Sequence, residues 1–221
     1  LQEWLEQSIW PQEARWVSEE FVRAGTELSI AEMLLSGTTT FSDMYFFPNA
    51  TASVAHRAGI RAQINFPIVE LANNWAADAD QHIALGLAAS DQYKDHERIT
   101  IGFAPHAPYT VSDKTFARVV MLAEEVDASI QIHLQETEKE VNDSLAEHGK
   151  TPIQRLHELN VLSARTQAVH LTQFNDNDIE ILRSTATSII HCPTSNLKLA
   201  SGYCNIDNLL EKGLTIGLGT D

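Results

Sequence analysis

With 221 residues and 43% hydrophobic side chains, the chain can bury a full core, and its scattered charge excludes a disordered protein. Thirty acidic against fifteen basic residues leave a net charge of −15, which repels phosphate backbones and anionic lipid, and no Lys/Arg cluster offsets it. The longest apolar runs, such as 186–190 and 99–105, fall far short of the roughly 20 residues a bilayer requires, so neither nucleic acid nor membrane is an expected partner.

The N-terminus, Leu1-Gln2-Glu3-Trp4-Leu5-Glu6, has neither the basic start nor the apolar stretch of a signal peptide. It also lacks an initiating Met and reads as a cut inside a longer chain. The first forty residues read as helical, with Trp4, Leu5, Ile9 and Trp10 around a break at Pro11. Beyond them, apolar runs alternate with helical patterns, as in repeated β-α units around a parallel sheet. Seven strands are predicted, at 38–46, 59–67, 99–104, 129–134, 167–171, 188–191 and 214–219. Their continuous Ile/Val/Phe/Leu runs imply burial on both faces. Among the intervening helices, Ser112 reads as an N-cap ahead of Phe116, Val119, Val120 and Ala123 on one face. Thr151-Pro152 opens another helix, leading into Ile153 and Leu156, and Gly213 sits where a C-terminal cap closes the last. No linker, low-complexity tract or repeat interrupts the chain. The fold class expected is α/β, a (β/α)8 barrel lacking one strand or an open doubly wound sheet, and chemistry at many strand ends favours the barrel. Cys192 and Cys204 are too few for a disulfide framework and match no Cys-x-x-Cys site, which fits a reducing cytoplasm.

Of nine histidines, His106, His133, His170 and His191 fall at or just beyond the C-terminal ends of predicted strands, where barrel active sites collect. His56, His82, His96, His148 and His157 fall in helices or flanking loops and read as half-exposed surface residues. Imidazole and carboxylate suit zinc or a similar divalent ion, which acidifies a bound water to a pKa of about 7. His133 and Asp221 are the natural ligands, from two different strands. Glu136, three residues after His133, is placed as a proton shuttle; as a plain helix-start carboxylate it would serve only the dipole of the helix opened by Thr137 and Glu138.

Several strings then resemble one family. Thr-Thr-Phe-Ser-Asp-Met-Tyr-Phe (39–46), Gly-Phe-Ala-Pro-His-Ala-Pro-Tyr (102–109), Ile-His-Leu-Gln-Glu-Thr (132–137), His-Cys-Pro-Thr-Ser-Asn-Leu-Lys-Leu-Ala-Ser-Gly (191–202) and Gly-Leu-Gly-Thr-Asp (217–221) resemble the amidohydrolase superfamily. Within it they are most similar to the 5-methylthioadenosine/S-adenosylhomocysteine deaminases, over essentially the whole chain. The resemblance implies a distorted barrel with one zinc ion per subunit, iron and manganese being alternatives. It implies an aminohydrolase acting on C–N bonds of cyclic amidines, with water attacking C6 of an adenine nucleoside and ammonia leaving. Position by position, His133 and Asp221 match metal ligands, and Glu136 matches the acid/base that protonates the purine ring. Asp221 would also take the proton of the attacking water, and both carboxylates would touch the substrate. His170 matches the histidine that hydrogen-bonds the nucleophile, as imidazolium or donor tautomer. His106 and Glu13 match positions that contact the nucleoside, Glu13 accepting from ribose hydroxyls. His191 matches a recurrent histidine behind the site.

The family's His-x-His pair would lie shortly before Leu1, and its small β-sandwich would come from sequence flanking residues 1–221, leaving these as a partial barrel domain. Family members that take S-adenosylhomocysteine resemble one another in arginines after the third strand, suited to a carboxylate. Here 65–75 read Asn-Phe-Pro-Ile-Val-Glu-Leu-Ala-Asn-Asn-Trp, with no arginine. The expected order is therefore 5-methylthioadenosine, then adenosine, over S-adenosylhomocysteine, with Phe66 and Trp75 as pocket lining or core. Two rival readings are another reaction on the same scaffold (guanine, triazine or cyclic-amide hydrolysis) and a non-catalytic truncated barrel used for binding or oligomerisation. A homodimer is the default assembly.

Overall fold

A computed structural model describes residues 2–221 of the chain, in two compact units, residues 1–104 and 105–221. All seven predicted strands form, within two or three residues of the expected bounds, and they follow chain order in each unit.

The first unit opens with α1 (Gln2–Trp4), a π-helical segment (Leu5–Ile9), α2 (Trp10–Trp16) and α3 (Glu19–Leu35). Pro11 does not break the chain as expected. It sits in the first turn of α2, where a missing N–H costs no hydrogen bond. The break falls instead at Val17, extended at ψ 121°, followed by Ser18, whose side chain caps α3 by accepting from the Phe21 N–H. Then come β1 (Thr40–Met44), α4 (Pro48–Ala58), β2 (Arg61–Ile68), α5 (Ala79–Tyr93) and β3 (Ile99–Pro105). β2 and β3 are almost wholly buried, as their apolar runs predict. Phe66 and Phe103 pack with ring centroids 4.7 Å apart, and Phe66 is fully buried, which makes it core rather than pocket lining. Gly86 permits that packing, since a Cβ there would lie 2.3 Å from the Phe66 ring.

β1 departs from the expectation of burial on both faces: its residues are exposed or half-exposed, and its parallel partner is β2. An end strand of a unit has a neighbour on one side only. His82 departs in the other direction. It is fully buried, with Nδ1 against the Asp78 carbonyl at 2.7 Å, Nε2 against Asn73 Nδ2 at 2.8 Å, and Trp75 edge-on at 5.3 Å. With both ring nitrogens satisfied, the imidazole can leave solvent.

The second unit contains α6 (Asp113–Glu125), β4 (Ile130–Leu134), α7 (Glu138–His148), α8 (Pro152–Glu158), β5 (Thr166–His170), α9 (Asp176–Ser184), β6 (Ser188–His191), α10 (Pro193–Lys198), α11 (Ile206–Glu211) and β7 (Ile216–Leu218). β4 to β7 pair in parallel, neighbour to neighbour. Ile130, Ile132 and Leu134 of β4 are buried, as are Phe116 and Val119 of α6, Leu156 of α8 and Leu182 of α9. The predicted caps are in place: Ser112 accepts from Thr115 N–H, Thr151 and Gln154 form a reciprocal capping box, and Gly213 takes φ +79° just past α11. β7, like β1, is only partly covered. Among the described residues no helix is long and apolar enough to cross a membrane.

Candidate metal centre

The second unit brings the strand-end residues together. β4 carries His133 to its last turn, β5 ends on His170, and Asp221 follows β7. His133 Nδ1 lies 3.0 Å from the His106 carbonyl. A carbonyl can only accept, so Nδ1 carries the proton and Nε2 is left with a lone pair. That Nε2 is 3.7 Å from Asp221 Oδ1. His170 Nδ1 is 2.9 Å from Asn196 Oδ1, while its Nε2 faces Asp221 Oδ1 at 3.9 Å and Glu136 Oε2 at 3.6 Å. The two imidazoles stack with centroids 5.3 Å apart. His133, His170 and Asp221 thus each offer one ligand atom, all within 4.8 Å of one another.

Convergence depends on backbone that the residue types do not advertise. Gln135, His170 and Leu171 all have positive φ, 48°, 81° and 47°. In this conformation the carbonyl of Gln135 receives the N–H groups of Thr172 and Gln173 at 3.1 and 3.3 Å, which latches the loop after β5 to the end of β4. Non-glycine residues reach this region rarely and at a cost, and such turns cluster at functional sites.

Burial and the neighbouring charges act on these groups in opposite directions. Burial pushes His133 down, but the hydrogen bond and charge of Asp221, with Glu136 and the His106 carbonyl, outweigh it and raise the ring above its ordinary value. Burial likewise works to raise Asp221, and the hydrogen bonds of His133 and Ser195 with the charge of His170 outweigh it, holding the carboxyl well below the carboxylate range. Ser195 Oγ donates to Asp221 Oδ2. Glu136 is raised, chiefly by burial, although Ser201 Oγ donates to its Oε1 at 3.0 Å. Two imidazole lone pairs and a carboxylate are a donor set that suits zinc, and each ring is oriented through its other nitrogen as metal-ligating histidines are.

His170 narrows one expectation and widens another. Burial and the neighbouring His133 push it down to about 4, so the ring is neutral at pH 7 and is not an imidazolium. With the Asn196 oxygen toward Nδ1, Nε2 presents a lone pair; the donor tautomer requires the Asn196 amide turned round, and Asn196 Nδ2 has no partner among the described residues. The geometry therefore groups His170 with the ligand atoms, a placement that the sequence reading did not make. His106 is held neutral, pushed down to about 3 by burial and His133, and its ring packs edge-on to His133 at 4.9 Å. His191 lies at the end of β6, 9% exposed, outside the cluster of ligand atoms. Glu13 belongs to the first unit, where Tyr45 Oη donates to its carboxylate at 2.7 Å. Ser195, Asn196, Ser201 and Glu140 were not singled out by sequence, although the first three lie inside the string 191–202.

The amidohydrolase family description matches residues 1–221. A 5-methylthioadenosine/S-adenosylhomocysteine deaminase of Saccharophagus degradans is 52% identical over 221 residues, all of this chain and 50% of that protein. One from Teredinibacter turnerae is 50% identical over the same span, again half of its length. Among solved structures, an adenosine deaminase from Xanthomonas campestris with bound zinc superposes with a TM-score of 0.97 at 42% identity, covering 100% of this chain and 50% of its own. The chain thus has the α/β fold of that barrel in incomplete form, and it spans about half the length of the curated relatives it matches.

Proposed function

Because the chain belongs to the amidohydrolase family, we propose that it is the catalytic segment of a metal-dependent deaminase that exchanges the C6 amino group of an adenine nucleoside for oxygen. The observation that carries this reading is the gathering of His133 Nε2, His170 Nε2 and an Asp221 oxygen within 4.8 Å, with Glu136 alongside. The names of the relatives, which match all of this chain and half of their own length, support the same reaction. Residues 1–221 are read as part of one barrel domain, completed by flanking sequence.

His133 and Asp221, with His170 beside them, would hold one divalent ion, zinc by donor type, with iron or manganese as alternatives. Such an ion, when bound, supplies Lewis acidity that makes water a nucleophile near neutral pH. The protein's own groups then handle the protons. Glu136, whose carboxyl burial raises, would protonate the ring nitrogen next to C6, which makes that carbon electrophilic. Asp221, ionised and steadied by Ser195, takes a proton from the attacking water and passes it to the departing amino group, which leaves as ammonia. The hydroxyl formed at C6 returns its proton to Glu136 as the carbonyl forms, so acid and base are restored.

Glu13 is read as the acceptor for ribose hydroxyls. Asn74 supports a shared role for the 69–75 loop, since its Nδ2 donates to the carbonyls of Glu13, Ala14 and Val17 at 3.3, 3.0 and 2.8 Å. That loop offers no arginine to a carboxylate. The preferred substrate is therefore 5-methylthioadenosine, then adenosine. The partner is the nucleoside, the assembly a homodimer and the setting cytoplasmic, in keeping with two buried free thiols. The test is ammonia release by a protein of the relatives' full length carrying this segment. The kcat/KM for 5-methylthioadenosine should exceed that for S-adenosylhomocysteine by about tenfold or more, the size of one charged contact. A reversed order sinks the substrate assignment, and no ammonia from any adenine nucleoside sinks the reaction.

A further inference from the structure

Glu140 lies one turn into α7, outside the group of ligand atoms, and is 8% exposed. Its two carboxylate oxygens accept from consecutive backbone amides, Oε1 from the Gln135 N–H at 2.8 Å and Oε2 from the Glu136 N–H at 2.9 Å. The local sequence Thr137-x-x-Glu140 has the form of a capping box, in which the acid reaches back to the N–H of the capping threonine. Here Thr137 caps α7 in the ordinary way, accepting from the Glu140 N–H at 3.2 Å, while the carboxylate passes over Thr137 and reaches the two residues before it. The helix therefore has its cap without the carboxylate. What the carboxylate holds is the amide side of the turn at the end of β4, where Gln135 takes φ +48°.

That turn sits between the candidate ligand and the candidate proton carrier. His133 precedes it and Glu136 ends it. Gln135 is tied from its side chain as well, donating to the Gln173 carbonyl at 2.6 Å and accepting from the Ile153 N–H at 3.1 Å. Thr172 Oγ1 donates to the Glu136 carbonyl at 2.7 Å. Among the described residues only Glu140, however, accepts from the amide of Glu136 itself, and so sets the point from which the Glu136 side chain departs. A left-handed turn at a non-glycine residue persists when its surroundings over-determine it, and a shift of about 1 Å at a reacting group can cost on the order of a hundredfold in rate.

We propose that Glu140 is a positioning residue: by clamping the amides of Gln135 and Glu136 it places the Glu136 carboxyl for proton transfer while leaving the metal ligands untouched. This rests on the deaminase reading above, in which Glu136 carries the proton. Glu140→Gln keeps the shape but offers one acceptor oxygen for two amides. Glu140→Asp keeps the charge on a stem one methylene shorter.

Both variants are made in a zinc-loaded protein of the relatives' full length carrying this segment. In Glu140→Gln, kcat for 5-methylthioadenosine should fall by about 10- to 100-fold, the usual effect of removing an outer-shell partner, with KM and zinc content unchanged. Glu140→Asp should recover part of the loss. Amide hydrogen exchange, followed in zinc-free and zinc-loaded protein, should become fast at Gln135 and Glu136 in Glu140→Gln, while Ile132 and Leu134 stay protected. An unchanged kcat overturns the proposal, as does unchanged protection at the two amides. A fall in kcat that tracks lost zinc or lowered thermal stability, with no recovery in Glu140→Asp, assigns Glu140 a structural role only and overturns it too. A wild-type protein that releases no ammonia overturns the deaminase reading, whereas an active wild type with an equally active Glu140→Gln overturns this proposal alone.

Discussion

Asp43, half-buried in β1, shows what one partly desolvated carboxyl does to a fold's pH dependence. Burial raises it to about 6 from an ordinary 3.8, against the pull of hydrogen bonds from the Met44 backbone and the Thr51 side chain. The folded state therefore takes up the proton more readily than the unfolded chain. The stability this contributes is fully present below pH 3.8 and is lost as pH rises through about 6. Above that, the ionised carboxylate costs on the order of 2–3 kcal/mol. Asp43→Asn, which still accepts both hydrogen bonds, should raise the melting temperature at pH 8 and leave it unchanged near pH 4. A melting temperature that drops at pH 8 would contradict this. At the same scale, His133, Glu136 and Asp221 were legible in sequence because their residue types sit at ends of apolar runs. The neutral state of His170 was not, since it depends on how much water and how many cationic neighbours surround the ring.

At the scale of elements, α5 packs closely on β2 where Gly86 faces the ring of Phe66. Gly86 lies in the interior of a helix, where glycine is a poor former, and its Cα is backed by the ring of Phe66. Gly86→Ala gains helix propensity and loses the packing, because a Cβ 2.3 Å from ring carbon forces the core apart. The net expectation is destabilisation by about 1–3 kcal/mol, the range for overpacked cores, read as a lower urea midpoint with unchanged slope. A gain in stability would show that the ring moves freely. The helix boundaries at Ser112, Thr151 and Gly213 were readable because capping is a local matter of one side chain and one or two amides. Pro11 misled for the same reason: its rule concerns helix interiors, and the preceding π-helical segment resets the register so that it falls in a first turn.

At the scale of the molecule, a bound ion would draw together the ends of β4, β5 and β7, three strands well separated in sequence, so folding and metal affinity should be linked. Zinc at about a hundred times its dissociation constant adds roughly 2.7 kcal/mol to stability. In a protein of the relatives' full length, about twice this chain, this corresponds to a rise in melting temperature of about 3 °C, removed by a chelator and absent in His133→Ala. A melting temperature indifferent to zinc in the wild type would count against His133 as a ligand. The order of β and α elements, the parallel pairing and the identity of the strand-end residues followed from the amino-acid sequence, because apolar periodicity and caps act over a few residues. Which nitrogen of each imidazole faces the centre, the joining of His170 to His133 and Asp221, the burial of His82 and the reach of Glu140 to two amides were decided only in three dimensions. Each depends on carbonyls and amides brought in from other elements, and on left-handed turns at Gln135, His170 and Leu171 that tertiary hydrogen bonds hold and residue type does not foretell.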